Sequence, residues 1–325
     1  MIPAWIIAAA IVIVGLGVAY GVRNQVNDLL GVREGGLDAI SNLTKKPTIW
    51  WHVDDSQVNV KQWLSFEDRA TRVPNEPYLA LCMKKAIQLW SHEFDVVPVV
   101  GRGAALDLLR EANTPIPEGA ERVPPALWMD WCRTAFLAYK GGLWLDGSVL
   151  PVSSGAVIRH RLAGHAVLAF GTDADEELGA AAQEGGPGGP AAGRSAGWAA
   201  GPGHPMWMGL HRDISAVVKA GDQSWSSFEA RRALRFLWDK HCSGVSRVDR
   251  RAEVSRDKYG KRLDYDDLFA KKEWLNGSTE GGLWVPLPDG RDKLERTSAW
   301  LWFTRMSEEQ IAESEFVWAR LATRA

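Results

Sequence analysis

ALWMDWCRTAFLAYKGGLWLDGS, residues 126–148, passes from a helix through a glycine pair into a short strand that ends in an acid. Pro124-Pro125 stands before it, and proline suits a helix's first turn because its missing N–H has no intrahelical partner to lose there. The predicted helix covers 124–140 and stops at Gly141-Gly142, which permit a tight turn. Leu143-Trp-Leu-Asp146 then reads as a strand. Asp130 and Arg133, three residues apart, share one helix face. Asp146 arrives at a strand's carboxyl end, where open α/β sheets bind ligands.

Outward from this block the same alternation continues. Pro47-Thr-Ile-Trp-Trp-His-Val53 is a β-branched and aromatic run that predicts a buried first strand. Residues 75–93 place Leu79, Met83, Ile87 and Trp90 at helical spacing, and Phe94-Asp-Val-Val-Pro-Val-Val100 follows as a second strand. Strands alternating with helices through short connections make a mostly parallel α/β sheet the expected fold class. From about Ala174 to Pro205, Gly, Ala and Pro dominate, without the G-x-x-x-x-G-K-S/T of a phosphate-cradling loop. That stretch reads as a flexible surface insertion, or as a mobile lid. Residues 226–242 read as helical. The basic residues between Arg231 and Arg262 form either a solvated face or a patch for lipid headgroups or diphosphate. Ser307-Glu-Glu-Gln310 is a capping-box start for one last amphipathic helix carrying Ile311, Phe316 and Leu321.

With 325 residues the chain can bury a sizeable core in one large α/β domain or two smaller ones. A net charge of −2 gives no bulk attraction to nucleic acid. The 17 tryptophans either build a bulky core or stack on planar and sugar-ring ligands. Cys82, Cys132 and Cys242 are far apart and lack a CxxC spacing, which argues against a disulfide framework and a zinc site and agrees with a reducing compartment.

Residues 1–22 carry no charged side chain and are mostly Ile, Val, Ala, Leu and Gly. At about 1.5 Å of rise per residue, roughly 20 such residues cross a hydrocarbon layer of about 30 Å. Trp5 and Tyr20 stand near the two ends, where amphipathic rings prefer the interface. No Lys or Arg precedes the run, as a cleaved signal peptide would require. The expectation is one retained membrane span over 1–22, a stalk over 23–46 and a folded body over 47–325. Arg23 and Arg33 follow the span and favour a cytoplasmic body. The sequons at Asn42-Leu-Thr and Asn276-Gly-Ser would matter only for a lumenal one.

Asp146 with the Ser148 hydroxyl suits a hard divalent cation, which takes oxygen ligands and keeps phosphates and waters in its shell. Arg133 can hydrogen-bond sugar or phosphate oxygens. An intrahelical ion pair and a strand-end turn acid would account for the same residues.

The block resembles the glycosyltransferases with a DXD-type sugar-binding region. These include the capsular polysaccharide synthesis proteins, the initiating α-1,6-mannosyltransferases and, more distantly, the large clostridial toxin glucosyltransferases. Their pattern is a small residue, Ser-Asp, an Arg three residues on, a hydrophobic helix, Gly-Gly, and a strand ending in Asp-x-Asp or Asp-Ala-Thr. Asp130 and Arg133 match the helix acid and base, which in that family contact the donor's ribose and sugar. Gly141, Gly142 and Asp146 match the turn and the first acid of the metal motif. Ile49-Trp50-Trp51 resembles the first strand, whose aromatic residue lies near the nucleotide base. Trp198-Ala-Ala-Gly-Pro-Gly-His204-Pro205 resembles the strand and turn after the metal motif. The likeness covers about residues 47–210. Met129 departs from the family's Ser, and Ser148 stands where a second acid would be.

The resemblance implies a GT-A-type fold, a mixed and mostly parallel sheet with helices on both faces. It implies a membrane-anchored hexosyltransferase that moves a sugar, with retention, from a nucleotide-sugar donor to a glycan, lipid or protein acceptor. On that basis Asp146 and Arg133 are catalytic. Trp50, Trp51, Asp130, Arg133, Gly142 and Asp146 bind the donor, and Asp146 with Ser148 holds Mn²⁺ or Mg²⁺. A further metal ligand is expected from the last third, with Asp289 and Asp292 as candidates unless they only form a solvated turn. His204 and His211 lie in the right region, either for chemistry or for structure. Ser148 and the missing ligand motivate the competing expectation, a catalytically degenerate GT-A scaffold tethered to the membrane as a structural or binding protein.

Overall fold

The computed structural model describes residues 46–53, 76–163, 167–170, 197–220, 237, 240–241, 248–249, 265–270, 282–287, 294 and 299–323. The expected span over 1–22 lies outside them, and so does the stalk up to residue 45. Among the described residues no helix is long and apolar enough to cross a membrane.

Six strands form the central sheet: β1 (Thr48–Val53), β2 (Asp95–Val100), β3 (Gly142–Asp146), β5 (Val167–Phe170), β6 (Gly197–Ala200) and β7 (Val248–Asp249), in the order β2-β1-β3-β6-β5-β7. β1 pairs in parallel with both β2 and β3, and β5 with β7, while β6 runs antiparallel between β3 and β5. The sheet is therefore mixed and mostly parallel, as the alternation of elements predicts. β4 (Val149–Pro151) and β8 (Trp284–Pro286) add a two-stranded antiparallel sheet. β1 is central and buried along its length after Thr48, which is why it reads as an unbroken apolar run rather than an alternating one. Pro98 in β2 is tolerated because that strand is at the sheet's edge, where one side of its backbone needs no ladder partner.

Helices cover both faces. The described helices are α1 (Pro77–Trp90), α2 (Gly101–Glu111), α3 (Pro125–Tyr139), α4 (Gly155–Leu162), α5 (Pro205–Ala220), α6 (Tyr265–Leu268), α7 (Glu308–Ala312) and α8 (Val317–Thr323). Trp50 and Trp144 leave one face of the sheet and pack with Leu106 and Leu109 of α2, Trp128, Trp131 and Phe136 of α3, and Trp207 and Ile214 of α5. Successive side chains of a strand point to opposite faces, so Ile49, Leu143 and Leu145 meet Trp90 of α1 and Trp284 of β8 on the other. Trp51 and Val53 join Tyr78 and Leu79 of α1 to Val317 and Trp318 of α8 in a third cluster. Trp51, Trp90, Trp128, Trp131, Trp207, Trp284 and Trp318 are all fully buried, so for these seven the core is the use of tryptophan. Cys82 and Cys132 are buried.

The turn into β3 needs its glycines. Gly141 and Gly142 have φ of 65° and 94°, and a Cβ on Gly142 would stand 2.4 Å from the Thr48 carbonyl oxygen. Two expectations change. The end of the Gly/Ala/Pro-rich stretch is no surface insertion but a strand, in line with the resemblance of Trp198–Pro205: residues 197–200 are β6, inside the sheet, where a Cβ on Gly197 would meet Leu145 and Trp284. The last helix is two helices. The Ser307 capping box forms as expected, Gln310 N–H donating to Ser307 Oγ and Ser307 N–H to Gln310 Oε1. The chain then leaves the helix at 313–316, with Ser314 Oγ donating to the Gln310 carbonyl and Phe316 turned into the core. Of the helix expected over 226–242, residues 237 and 240–241 are described and are helical.

Candidate functional site

The chain leaves β1 through α1 to β2 on one side, then returns through α2 and α3 to β3 on the other. Strand order thus reverses between β1 and β3, and the carboxyl ends of strands at such a reversal are where open α/β sheets take ligands. His52 and Asp146 are register partners there, and the Gly147 N–H donates to the His52 carbonyl at 2.7 Å, which ties the two strand ends together.

Asp146 is exposed at this edge. Its Oδ1 accepts from the backbone N–H and the hydroxyl of buried Ser148, at 2.9 and 2.8 Å. These bonds fix the carboxylate through Oδ1, and among the described residues no hydrogen bond reaches Oδ2. A Mg²⁺-like cation is commonly held by one or two carboxylates together with substrate phosphates, so Asp146 fits a cation that arrives with a diphosphate. It does not make a preformed protein cage. Among the described residues no group of three or more His, Cys, Asp or Glu gathers that could hold a metal ion. Asp289 and Asp292 lie outside the described residues.

α3 packs over the same face, and its first half carries the other predicted pair. Arg133 Nη2 donates to Asp130 Oδ1 at 2.5 Å, with 10% and 19% of the two side chains exposed. This is a largely desolvated ion pair rather than a surface one. On α2, Arg102 Nη1 donates to the Glu121 and Val123 carbonyls while its guanidinium sits 5.0 Å over the Trp128 ring. Between these elements His52 is 2% exposed and stacks on Trp144, centroids 4.7 Å apart. Burial first, then the charges of Arg133 and Arg102, push the His52 ring down to about 3, so it is neutral at ordinary pH. Neither His52 nor Arg102 was among the expected site residues. The signal for His52 was its place, one residue from the end of β1 and on the Trp50 face by strand alternation.

The remaining expected residues serve the frame. The Trp50 indole N–H donates to the Gly141 carbonyl at 2.7 Å and its ring packs on Phe136, which points it back toward the start of β3. Gly142 also lies at that start, at the amino end of β3. Trp51 is buried in the cluster on the opposite face. The structure therefore brings together Asp146 and Ser148, and Asp130 and Arg133, but not Trp50, Trp51 and Gly142 with them. His204 Nδ1 accepts from Met206 N–H at the head of α5. His211 is buried between Trp131 and Tyr139, with its nitrogens near Ser215 Oγ and Thr134 Oγ1, and burial pushes it down to about 4. A cavity of about 780 Å³ beside α5, lined by Ile116, Tyr139, Met208 and His211 among others, shares no residue with the switch point. Gly193-Arg-Ser-Ala-Gly197 has the spacing of a nucleophile elbow, but it leads into a strand, whereas that elbow needs a strand before the serine and a helix after it.

No protein-family model matches the chain, and no curated protein or solved structure does.

Proposed function

We propose that the protein is a glycosyltransferase of the GT-A type that uses a nucleotide-sugar donor at the carboxyl ends of β1 and β3. One juxtaposition carries the reading: an exposed, oriented carboxylate, Asp146, at a strand-order reversal, beneath a helix that holds a desolvated Asp130–Arg133 pair on the same face. The antiparallel β6 within an otherwise parallel sheet, with helices on both faces, agrees with the fold that the motif resemblance implies.

In this reading the Arg133 guanidinium presents charge-assisted donors to sugar or phosphate oxygens, and Asp130 holds its planar fork in place while accepting from a ribose or sugar hydroxyl. Asp146, with Ser148 beside it, would hold Mn²⁺ or Mg²⁺, and such a cation supplies charge neutralisation for the departing diphosphate. Arg133 and Asp146 are thus the catalytic candidates. Fixed charges aimed at the leaving group stabilise it without an enzymic nucleophile, in keeping with transfer that retains the anomeric configuration. Residues 1–22 anchor the protein in a membrane, with the body on the cytoplasmic side and a glycan, lipid or protein as acceptor.

The second reading, a degenerate scaffold, has its own observation. Asp146 gives Oδ1 to Ser148, no group of three or more potential metal ligands gathers among the described residues, and Arg133 is already paired. Release of nucleoside diphosphate separates the two. The purified full-length chain with Mn²⁺ and a panel of UDP- and GDP-sugars should release it above background, and Asp146→Ala should abolish the release. No release from any donor by the wild type would leave the scaffold. The anchor is tested separately: the full-length chain should remain with membranes through a carbonate wash, and a processed N-terminus near residue 21 would overturn it.

A further inference from the structure

His52 is built into the site in a way the core does not require. Its side chain is 2% exposed, and among the described residues neither ring nitrogen has a hydrogen-bond partner. Stacking on Trp144 with planes at 29°, and the Gly147 N–H on its carbonyl, hold the residue in place at the end of β1. A buried polar group without a partner costs the fold about as much as a lost hydrogen bond, and an apolar ring of the same shape would avoid that cost. Such a group calls for an explanation, and at a strand end in a candidate site a polar ligand is one.

The chemistry of the missing partner follows from the imidazole. Neutral, it offers one N–H donor and one nitrogen acceptor. A phosphate only accepts, so it can answer the donor alone. A cation would answer the acceptor alone and leave the N–H without a partner. A hydroxyl both donates and accepts, and a polyhydroxylated ring offers several at once.

We propose that His52 is a specificity-determining residue that hydrogen-bonds a hydroxyl of the donor's ribose or sugar ring at the carboxyl ends of β1 and β3. This rests on the nucleotide-sugar reading above. Both nitrogens are buried, so the hydroxyl reaches them by displacing what covers them.

The test is calorimetric titration and thermal melting of the full-length chain in detergent, as wild type, His52→Phe and His52→Gln. The probes are UDP-glucose, UDP-galactose, UDP-N-acetylglucosamine and GDP-mannose, beside UDP and GDP. Phe keeps the ring on Trp144 and removes both nitrogens. It should weaken the preferred donor roughly tenfold, the loss of about one good hydrogen bond, without lowering the melting temperature. Gln restores a donor and an acceptor and should recover part of the affinity. An equal loss for the bare nucleoside diphosphate assigns the hydroxyl to ribose, and a loss confined to the whole donor assigns it to the sugar. Unchanged affinity in His52→Phe for a donor the wild type binds overturns the inference alone. A clear fall in its melting temperature does the same, because it marks a structural role. Wild-type failure to bind any donor overturns the inference together with the reading beneath it.

Discussion

At Asp130 and Arg133 the energetics turn on burial. Exposed on a helix face, such a pair contributes about 0.3–0.5 kcal/mol. With only 10% and 19% of the side chains exposed, removing one charge leaves the other without its partner in a poorly solvated place. Asp130→Asn should therefore cost about 1–3 kcal/mol of stability as well as at least a tenfold fall in kcat/KM. Arg133→Lys should lose a similar factor, because an ammonium cannot reproduce the planar fork. Kinetics with the preferred donor beside chemical denaturation of each variant provide the check, and near-wild-type turnover in both would remove the pair from the donor site. His52 and His211 make a separate pH prediction. Each is held neutral in the fold, at about 3 and about 4, against 6.5 when unfolded. Between pH 6.5 and those values the unfolded chain binds the extra protons, so stability falls as pH falls through that window. At pH 5 the loss is about 2 kcal/mol for each histidine. Denaturant midpoints measured from pH 7.5 to 4.5 should show it, and His52→Phe should flatten part of the slope.

Among the elements, β3 is the one whose formation assembles the site, because it carries Asp146 to the end of β1. Its entry turn admits no side chain at Gly142, where positive φ and the nearby Thr48 carbonyl act together. Gly142→Ala should cost about 1–3 kcal/mol or more and reduce the yield of folded protein, read from the melting temperature of what remains soluble. At the other end of the chain, the Ser307 hydroxyl is buried and caps α7. Ser307→Ala should cost about 1 kcal/mol in denaturant titration and leave donor binding unchanged. The apolar spacing of Ile311, Phe316 and Leu321 is the same for one helix as for two, which is why the break was not legible. A serine that bonds back to the Gln310 carbonyl, and the placement of Phe316 in the core, decide it. Likewise, residues 197–200 close a Gly/Ala/Pro-rich stretch and are a strand because β3 and β5 pair with them on both sides, with Gly197 leaving room for Leu145 and Trp284.

For the whole molecule, three tryptophan-containing clusters meet along one strand: Ile49, Trp50 and Trp51 of β1 enter a different one each. Residues 47–325 should therefore unfold as one unit, with tryptophan fluorescence and far-UV circular dichroism giving the same midpoint. Separate transitions would show that the clusters fold independently. The strands β1, β2 and β3, the mostly parallel α/β class, the helix that pairs Asp130 with Arg133, the glycine turn and the strand-end acid were legible in the sequence, whereas α2 between β2 and α3 was not read. Those features depend on spacings of two to four residues and on backbone freedoms of Gly and Pro, which each segment carries with it. Which strand lies beside which, the use of the seven tryptophans as core, the desolvation of the ion pair and the convergence on His52 came only from the tertiary structure. They rest on contacts such as Trp50 to Gly141, 91 residues apart. Local periodicity tells that a side chain faces inward, but only the packing of distant segments decides what it meets there and whether water, a protein group or a ligand completes its hydrogen bonds.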